Sequence, residues 1–331
     1  MPEKGTRDGG IRSTIVIPNF NGMKYIENCL VSLAGEPARV VVVDNGSTDG
    51  SRQLVQEKFP DVRLIPLDKN YGFCTAVNRG IEESRGNKTT YVILLNNDTT
   101  VQSGFVRALE RALDGDKKAF SGAARMVNMH RPELIDDAGD YYCALGWAFA
   151  AGKDRPVADY ERPGEVFSAC GGACIYRRSV LEKIGLFDEN HFAYLEDVDL
   201  GYRAKIFGYR NLYVPDAVVY HAGSGVSGSR HNAFKVKLSA KNSVYLICKN
   251  MPPLQILLNL PFLLAGFLIK TIFFLKKGLV RSWFQGTAQG LRLACSARGR
   301  EKRVRFSLSR FPAYVGIQWE LWRNLWYRIR W

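Results

Sequence analysis

The stretch that decides the fold is Tyr91-Val-Ile-Leu-Leu-Asn-Asn-Asp98, five apolar residues followed by two amides and a carboxylate. A continuous apolar run bounded by turn-forming residues is typical of a strand covered on both faces of a sheet. The run therefore predicts a buried strand whose end presents Asp98. Ligands of open parallel sheets bind outside the carboxyl ends of the strands, so Asp98 lies where a metal-diphosphate site belongs.

The first hundred residues alternate short apolar runs with helical patterns, which predicts an α/β fold with a parallel sheet. Strands are expected at 14–18, 40–44, 63–66 and 91–95, and helices near 24–33, 51–58, 75–83 and 104–113. Polar residues follow all four strands, at 19–21, 44–47, 70–72 and 96–98. Turn formation and helix capping would explain any one of these ends, whereas four in succession favour one binding crevice.

The glycine pattern argues against a Rossmann dinucleotide site. No G-x-G-x-x-G follows the first strand, where Asn19-Phe-Asn-Gly22 stands instead. A bound phosphate would then need a cation in place of a glycine-rich cradle. Mg²⁺ or Mn²⁺ held by Asp98 would supply it, because these ions bind through one or two carboxylates together with substrate phosphates.

A second acidic group, Glu196-Asp-Val-Asp199, opens another predicted helix. The helix dipole alone can favour carboxylates there. Three acids in four residues, directly after Phe, Tyr and Leu, instead favour a desolvated carboxylate whose pKa suits a general base. His221 ends a predicted strand at 217–221, before the glycine/serine-rich loop 222–228. This position is expected of a residue that meets substrate beneath a lid.

The region from 121 to 178 is less regular. Extended segments are expected around 120–126 and 167–176. The aromatic-rich stretch between them, with Asp136-Asp137, suits contact with a sugar or an acceptor, although ordinary packing or a flexible loop would explain it equally well. Cys170-Gly-Gly-Ala-Cys174 has no zinc-type partners nearby, so buried small residues are expected there. The seven scattered cysteines indicate reduced thiols in a cytosolic compartment.

Together these residues resemble the family 2 glycosyltransferases of the GT-A fold, in particular the bacterial rhamnosyltransferase-like branch. The resemblance extends over roughly 13–250 and depends on the order of several short motifs. They are Ile17-Pro-Asn-Phe-Asn-Gly22, Val43-Asp-Asn-Gly-Ser-Thr-Asp49, Asn70-Tyr-Gly-Phe73, Ala76-Val-Asn78, Leu95-Asn-Asn-Asp98, Gly171-Gly172, Tyr194-Leu-Glu-Asp-Val-Asp199 and His221.

The resemblance implies a role for each matching residue. Nucleotide and donor-sugar contacts are implied for Pro18, Asn19, Asn21, Asp44, Asn45, Ser47, Asn70, Gly72, Asn78, Asn96 and Asn97. Asp98 corresponds to the last residue of the D-x-D metal motif, whose first Asp is Asn96 here, and His221 corresponds to a further metal ligand. Asp197 corresponds to the catalytic base of an inverting transfer. Glu196, Gly171 and Gly172 support it or the acceptor.

The last quarter of the chain is basic. Residues 251–331 hold 14 Lys/Arg and 2 Asp/Glu, which accounts for +12 of the net +14. An apolar segment at 254–275 is interrupted by polar residues, and its longest stretch free of charge and amide side chains, 260–269, is too short to cross a bilayer of about 30 Å. An in-plane or re-entrant segment is therefore expected. Basic residues at 298–310 are followed by aromatic residues near one helical face, namely Trp319, Trp322, Trp326 and Tyr327.

Cations interleaved with aromatic residues are typical of an anionic membrane interface. A helical subdomain with a solvated basic face is the alternative. Nucleic-acid binding would explain neither the apolar segment nor the acidic cleft, so no nucleic-acid partner is expected. We therefore expect a flexible N-terminus (1–12), a catalytic domain (13–250, divided at 100) and a membrane-interface region (251–331).

The predicted activity is metal-dependent, inverting transfer of a sugar to a lipid-linked or polysaccharide acceptor at the cytoplasmic face of a membrane. The first candidate for the donor is dTDP-rhamnose, and UDP-hexoses are the alternative. A non-catalytic scaffold that binds sugar nucleotides is the rival from another class. The presence of Asp98, Asp197 and His221 together argues against that scaffold.

Overall fold

The computed structural model of the chain describes residues 10–86, 89–223 and 232–330. Most of the predicted N-terminal segment and most of the predicted lid, 224–228, lie outside the described residues. The strands are β1 (Ser13–Asn19), β2 (Ala38–Asp44), β3 (Arg63–Pro66), β4 (Tyr91–Leu95), β5 (Thr99–Val101), β6 (Ala119–Asn128), β7 (Ile135–Asp137), β8 (Asp140–Cys143), β9 (Trp147–Ala150), β10 (Gly164–Val166), β11 (Ala173–Arg177) and β12 (Arg210–His221).

The helices are α1 (Ile26–Ser32), α2 (Ser51–Lys58), α3 (Phe73–Arg85), α4 (Phe105–Asp114), α5 (Arg178–Ile184), α6 (Glu196–Ile206), α7 (Ala233–Asn250), α8 (Pro253–Lys276), α9 (Val280–Cys295), α10 (Ala297–Glu301) and α11 (Phe311–Arg330). Short 3₁₀ turns occur at Val157–Tyr160 and Leu308–Arg310. The expected elements of the first hundred residues are present, with bounds that differ by two residues or fewer.

The central sheet has the strand order β10-β12-β6-β11-β4-β1-β2-β3, with β5 paired to β12 and β7 to β6. Strands β1 to β4 pair in parallel, and β12 pairs in parallel with β6. Only β11 and β10 run against the others along this path. The sheet is therefore mostly parallel, as the sequence predicts, and the carboxyl ends of β1, β2 and β4 lie at one edge.

Apolar layers cover both faces of the sheet, which explains the continuous apolar runs in its strands. One layer packs α1, α2 and α4 against residues such as Ile15 and Ile93. The other packs α3, α5 and α6 against Val16 and Leu94. Adjacent residues of one strand therefore serve opposite layers, as the two-residue period of a strand requires.

One predicted strand is shorter than expected. An extended segment was expected at 167–176, but β11 begins at Ala173 and a turn occupies Gly171 and Gly172. The turn brings the carbonyl of Gly172 to the amide of Asn96, at 2.8 Å. A Cβ at Gly172 would lie 2.9 Å from the terminal methyl of Met126, so a larger residue here would have to displace that side chain.

The C-terminal helices pack on α6, α7 and β8. Helix α9 lies along α7, and a Cβ at Gly286 or Gly290 would come within 2.4 Å of α7 carbonyl oxygens. A further apolar cluster joins Tyr142 of β8 and Tyr202 of α6 to Tyr314 and Leu321 of α11. The last eighty residues thus contact the elements that carry the predicted base.

The expectation that the apolar segment 254–275 is too short to cross a bilayer is not supported by its length as a helix. Helix α8 continues through Pro261 for 24 residues, and it alone among the described helices is long and apolar enough to cross a membrane. Its amides do not break it because they share one face: Gln255 and Asn259 are buried against α11 and α6. The opposite face exposes leucines, of which Leu257 and Leu264 are about 60% exposed.

Candidate active site

The predicted nucleotide residues of β1 and β2 form one hydrogen-bonded group. Asn19 is fully buried, and its amide nitrogen donates to Asp44 Oδ1 at 3.0 Å, Ser51 Oγ at 2.9 Å and Ser47 Oγ at 3.2 Å. Asn97 Nδ2 donates to Asn19 Oδ1 at 2.7 Å. These contacts fix the ends of β1, β2 and β4 relative to one another.

The turn that follows β1 contacts the turn that follows β2 beside this group. Asn21 has a φ of +50° and accepts a hydrogen bond from the amide of Thr48, while its own amide donates to Ser47 Oγ. Gly22 lies against Asn97, where a Cβ would come within 2.1 Å of the amide nitrogen. Pro18, opposite Val43 in the sheet, directs the chain into this turn.

The segment 70–72 closes the same edge of the sheet. Asn45 donates to Asn70 Oδ1 at 3.0 Å and to the carbonyl of Gly72 at 3.2 Å. Asn78 lies deeper, and both of its amide atoms bond to the backbone of Phe187. The observed contacts of Asn78 therefore hold the loop before α6, while the predicted donor-sugar contact stays a prediction.

Asp98 and His221 come together as the sequence predicts. His221 Nε2 lies 3.2 Å from Asp98 Oδ1, and Nδ1 lies 2.7 Å from Asp136 Oδ2. Burial opposes the charged imidazole, but the hydrogen bonds to Asp136 and Asp98 outweigh it and raise the pKa of His221 to about 9. Asp136 also pairs with Lys153.

This arrangement fits a divalent cation. Ligand atoms on adjacent corners of an octahedron lie about 3 Å apart when each bond is about 2.1 Å, and the Asp98 oxygen and His221 Nε2 have this spacing. A carboxylate on the other ring nitrogen fixes the tautomer and orientation of a metal-binding histidine, and Asp136 occupies that place. From the sequence, Asp136 is predicted only as part of a stretch suited to sugar or acceptor contact.

The predicted base, Asp197, follows a strained loop in the chain. Phe192, Tyr194 and Leu195 all have φ between +65° and +69°, a region that non-glycine residues rarely occupy. Asn242 of α7 holds this loop, since its amide nitrogen donates to the carbonyls of Ala193 at 2.8 Å and Tyr194 at 2.7 Å. Strain held by its surroundings is common at functional sites.

The helix that follows begins with Glu196 and Asp197, as predicted. Asp197 accepts hydrogen bonds from the amides of Val198 at 2.8 Å and Gly171 at 3.3 Å. Because Gly172 bonds to Asn96, the glycine pair connects the predicted base to the strand end that carries Asp98. The turn at Gly171 and Gly172 therefore lies between the two acidic motifs and bonds to both.

Asp197 lies in a cluster of acids. Asp140 of β8 and the Cys170 thiol approach it, with one ligand atom of each within 4.8 Å of the others. Burial raises the pKa of Asp197, and burial together with Asp197 raises those of Asp140 and Glu196. Burial also raises the pKa of Asp137 to about 8. Glu196 Oε2 has no hydrogen-bond partner among the described residues.

This cluster suits a proton acceptor better than a metal centre. Burial raises the pKa of Cys170, so its thiol is neutral, and Mg²⁺ and Mn²⁺ prefer oxygen ligands. The sequence predicts buried small residues around Cys170, but it does not predict that Cys170 lies beside Asp197. All seven cysteines lie within the described residues and are free thiols.

The cleft therefore combines polar strand ends, a carboxylate–histidine pair and a half-buried carboxylate, and comparison with known proteins identifies it. Residues 14–185 match the sequence model of glycosyl transferase family 2. The chain belongs to this family. A family 2 enzyme of this kind is a glycosyltransferase that transfers a sugar from a nucleotide sugar.

Two curated relatives place the glycosyltransferase in the rhamnosyltransferase-like branch. An N-acetylglucosaminyl-diphospho-decaprenol L-rhamnosyltransferase of Mycobacterium tuberculosis is 32% identical over 232 residues, which cover 62% of this chain and 75% of that one. A dTDP-rhamnosyl transferase of Shigella flexneri is 23% identical, over 72% of this chain and 81% of its own length.

The fold also matches a solved structure. A mannosyltransferase of Pyrobaculum calidifontis, solved with GDP-Man and Mn²⁺, superposes with a TM-score of 0.51 at 18% identity. The match covers 94% of this chain and 84% of that one. The GT-A type of α/β fold expected from the sequence is thereby confirmed.

Proposed function

We propose that this glycosyltransferase transfers rhamnose from dTDP-rhamnose to a lipid-linked acceptor in the synthesis of a cell-surface glycan. The rhamnosyltransferase functions of the two relatives support the donor, and that of the mycobacterial relative supports an acceptor carried on a polyprenyl diphosphate. The observation that carries the reaction class is the pairing of Asp98 with His221, together with a half-buried Asp197 that the Gly171-Gly172 turn connects to the same strand end.

Donor binding is proposed for the edge formed by β1, β2 and β4. The nucleotide would lie over Pro18, Asn19, Asn21, Asp44, Asn45 and Ser47, with the sugar toward Asn70, Gly72, Asn78, Asn96 and Asn97. Asp98 and His221 would hold Mg²⁺ or Mn²⁺, and Asp136 would orient the histidine. When bound, the metal neutralises the negative charge of the departing nucleoside diphosphate.

The transfer proposed is a single inverting displacement. Asp197 takes the proton of an acceptor hydroxyl, whose oxygen attacks the anomeric carbon as the nucleoside diphosphate leaves. The hydrogen bonds from Val198 and Gly171 hold the carboxylate in one orientation, so one oxygen can face the acceptor. Glu196 and Asp140 keep their protons more readily than free acids do, so they can donate hydrogen bonds to acceptor hydroxyls.

The proposed location is the cytoplasmic face of a membrane. The catalytic domain, 13–250, would be held there by the region 251–331, with the exposed leucines of α8 in the lipid and the basic residues facing anionic headgroups. Trp319 and Trp326, each more than 65% exposed, would lie at the interface.

The test is a donor screen with purified protein. The donors dTDP-rhamnose, UDP-glucose, UDP-galactose and UDP-N-acetylglucosamine are each incubated with and without Mn²⁺, and donor hydrolysis and binding are measured. We expect metal-dependent turnover of dTDP-rhamnose, lost in Asp197→Asn while donor binding persists.

The matched control is Asp216→Asn, because Asp216 is an exposed residue of β12. This variant should turn over donor as the unmodified chain does. Turnover of a UDP-hexose alone would assign a different sugar. Binding without turnover of any donor would favour a scaffold that binds sugar nucleotides.

A further inference from the structure

An apolar groove lies between the start of α8 and α11. It has a volume of about 500 Å³ and is lined mainly by Leu254, Leu258, Phe306, Phe311, Val315 and Trp319. Each of these side chains is between 47% and 68% exposed. An open apolar surface of this kind marks a site for a partner, a membrane or an apolar ligand.

The floor of the groove is polar and incompletely bonded. Gln255 and Tyr314 line it, and they are only 4% and 5% exposed. Gln255 Nε2 and the Tyr314 hydroxyl lack hydrogen-bond partners among the described residues. A buried donor without a partner is costly, so this floor suits a ligand that carries an acceptor oxygen beside its hydrocarbon.

Two cations adjoin the groove in the chain but do not line it. Arg305 and Arg310 directly precede the lining residues Phe306 and Phe311. The Arg310 guanidinium lies over the ring of Phe207, 3.8 Å from its centroid, at the end of α6. The groups that suit a phosphate ester are therefore the two unpaired donors of the floor, on Gln255 and Tyr314.

The groove is coupled to the helix that begins with the proposed base. Gln255 Oε1 accepts a hydrogen bond from Tyr202 of α6 at 2.7 Å. Tyr202 is five residues from Asp197, which corresponds to about 7.5 Å along a helix axis. Gln255 therefore connects the groove through one hydrogen bond to the helix that carries Asp197.

We propose that this groove binds the isoprenoid chain of the acceptor, with the first phosphate at the Gln255 and Tyr314 end. The inference rests on the proposed function in one respect, that the acceptor is carried on a polyprenyl diphosphate. It extends that function by giving the carrier a site on the protein, separate from the membrane contact of the outer face of α8.

The test measures binding and needs no turnover. Full-length protein is titrated with a fluorescent analogue of farnesyl diphosphate, and energy transfer from tryptophan is recorded. Val315→Trp fills the groove with a larger side chain. The matched control is Val31→Trp on α1, because Val31 is 58% exposed and Val315 is 52% exposed. Melting curves from circular dichroism verify that both variants are folded.

We expect Val315→Trp to weaken binding at least tenfold, Val31→Trp to leave it unchanged, and dodecyl phosphate to compete at least tenfold less well than farnesyl diphosphate. Equal binding by the two variants would overturn the proposal. So would equal competition by dodecyl phosphate, which indicates a general acyl-chain groove, or a dimer that Val315→Trp dissociates, which indicates a contact between copies. Failure of the donor screen would leave this measurement intact, so the two proposals can fail separately.

Discussion

A buried ion network holds the helix that begins with the proposed base, and its central cation offers the sharpest test of the packing. Lys249 of α7 is 3% exposed, and its ammonium donates to Asp188 Oδ2 at 2.7 Å and Asp199 Oδ2 at 2.8 Å. Arg203 donates to the same oxygen of Asp199. The perturbation is Lys249→Met, which keeps the length of the side chain and removes its charge.

The expected loss of unfolding free energy follows from the contacts that Asp188 and Asp199 keep in the variant. Asp188 retains Tyr245 and Asp199 retains Arg203, but both carboxylates stay buried without their shared cation. Removing one partner of a buried pair typically costs about 3–5 kcal/mol, so we expect a loss in this range at pH 7.5. The control is Lys58→Met: its surface pair with Glu27 has the same 2.7 Å distance, yet such exposed pairs contribute only about 0–1 kcal/mol.

The loss should depend on pH. Burial opposes ionisation of Asp188 and Asp199, but Lys249 outweighs it and holds the pKa of both carboxyls below the usual value. That stabilisation is present above the pKa of the unfolded chain and disappears as the pH falls toward the folded value. In Lys249→Met the burial remains and the cation is gone, so the folded pKa rises and a proton can replace the missing charge at mild acidity.

The assay is urea unfolding of both variants at pH 7.5 and pH 5.0, followed by tryptophan fluorescence. The difference between Lys249→Met and the unmodified chain should be smaller at pH 5.0, by about 1.4 kcal/mol for each unit by which a folded pKa exceeds 5. A loss below that of Lys58→Met at pH 7.5, or one that does not change with pH, would refute the reasoning.

Three further predictions concern the site and the membrane contact. The kcat/KM of the enzyme should fall as the pH is lowered, because burial raises the pKa of Asp197 and a base must be deprotonated; Asp140→Asn should leave this limb in place, because Asp140 keeps its proton and adds no charge beside Asp197, and a limb moved to lower pH would contradict a protonated Asp140. Asp136→Asn should raise the Mn²⁺ concentration for half-maximal activity about 10–100-fold with little effect at saturating metal, since it removes only the partner that orients His221; an unchanged Mn²⁺ titration would argue against that role. Replacing Lys276 and Lys277 by Gln should weaken the free energy of binding to anionic vesicles by about 2 kcal/mol, which is a roughly 30-fold loss of affinity at low salt in a sedimentation assay. An equal loss of affinity for neutral vesicles would indicate misfolding instead.

The sequence predicts the sheet and the metal side of the site because both depend on local pattern. The apolar runs that end at Asn19, Asp44 and Leu95 each specify one strand, and parallel pairing alone brings their ends together. His221 is also the end of a strand, and the register of β12 with β5 and β6 sets it beside this edge. Strand ends can therefore be placed from sequence once the fold class is recognised.

Tertiary contacts bring together the residues that surround the proposed base, so no local sequence pattern predicts them. Asp140 lies on a short hairpin whose strands are only four residues long, and its approach to Asp197 depends on the turn at Gly171. Asn242 and Lys249 read as ordinary polar residues of an amphipathic helix. Their partners are about fifty residues or more away in the chain, so neither spacing nor composition reveals them.

Helix α8 did carry a signal, which lies in its spacing and not in its composition. Gln255 and Asn259 are four residues apart, and Gly266 and Lys270 repeat that interval after two further turns, so all four fall near one face. In a water-exposed helix such a polar stripe would face solvent. Here Asn259 is fully buried and bonded to Gln318 and Trp322, while the leucines face outward.

This inversion argues for a membrane contact more strongly than hydropathy does. An apolar face left in water forfeits about 25 cal/mol for each Å² that could have been buried, and α8 exposes such a face along its whole length. Helix α9 already covers part of the inner side, through Trp283 packed on Phe274, so the outer face has no described partner within the chain. A lipid surface would cover it without changing the buried amides, and the adjoining Lys276 and Lys277 favour an anionic one. The polar stripe holds α8 to the protein, and the leucines of the outer face are available for the proposed membrane contact.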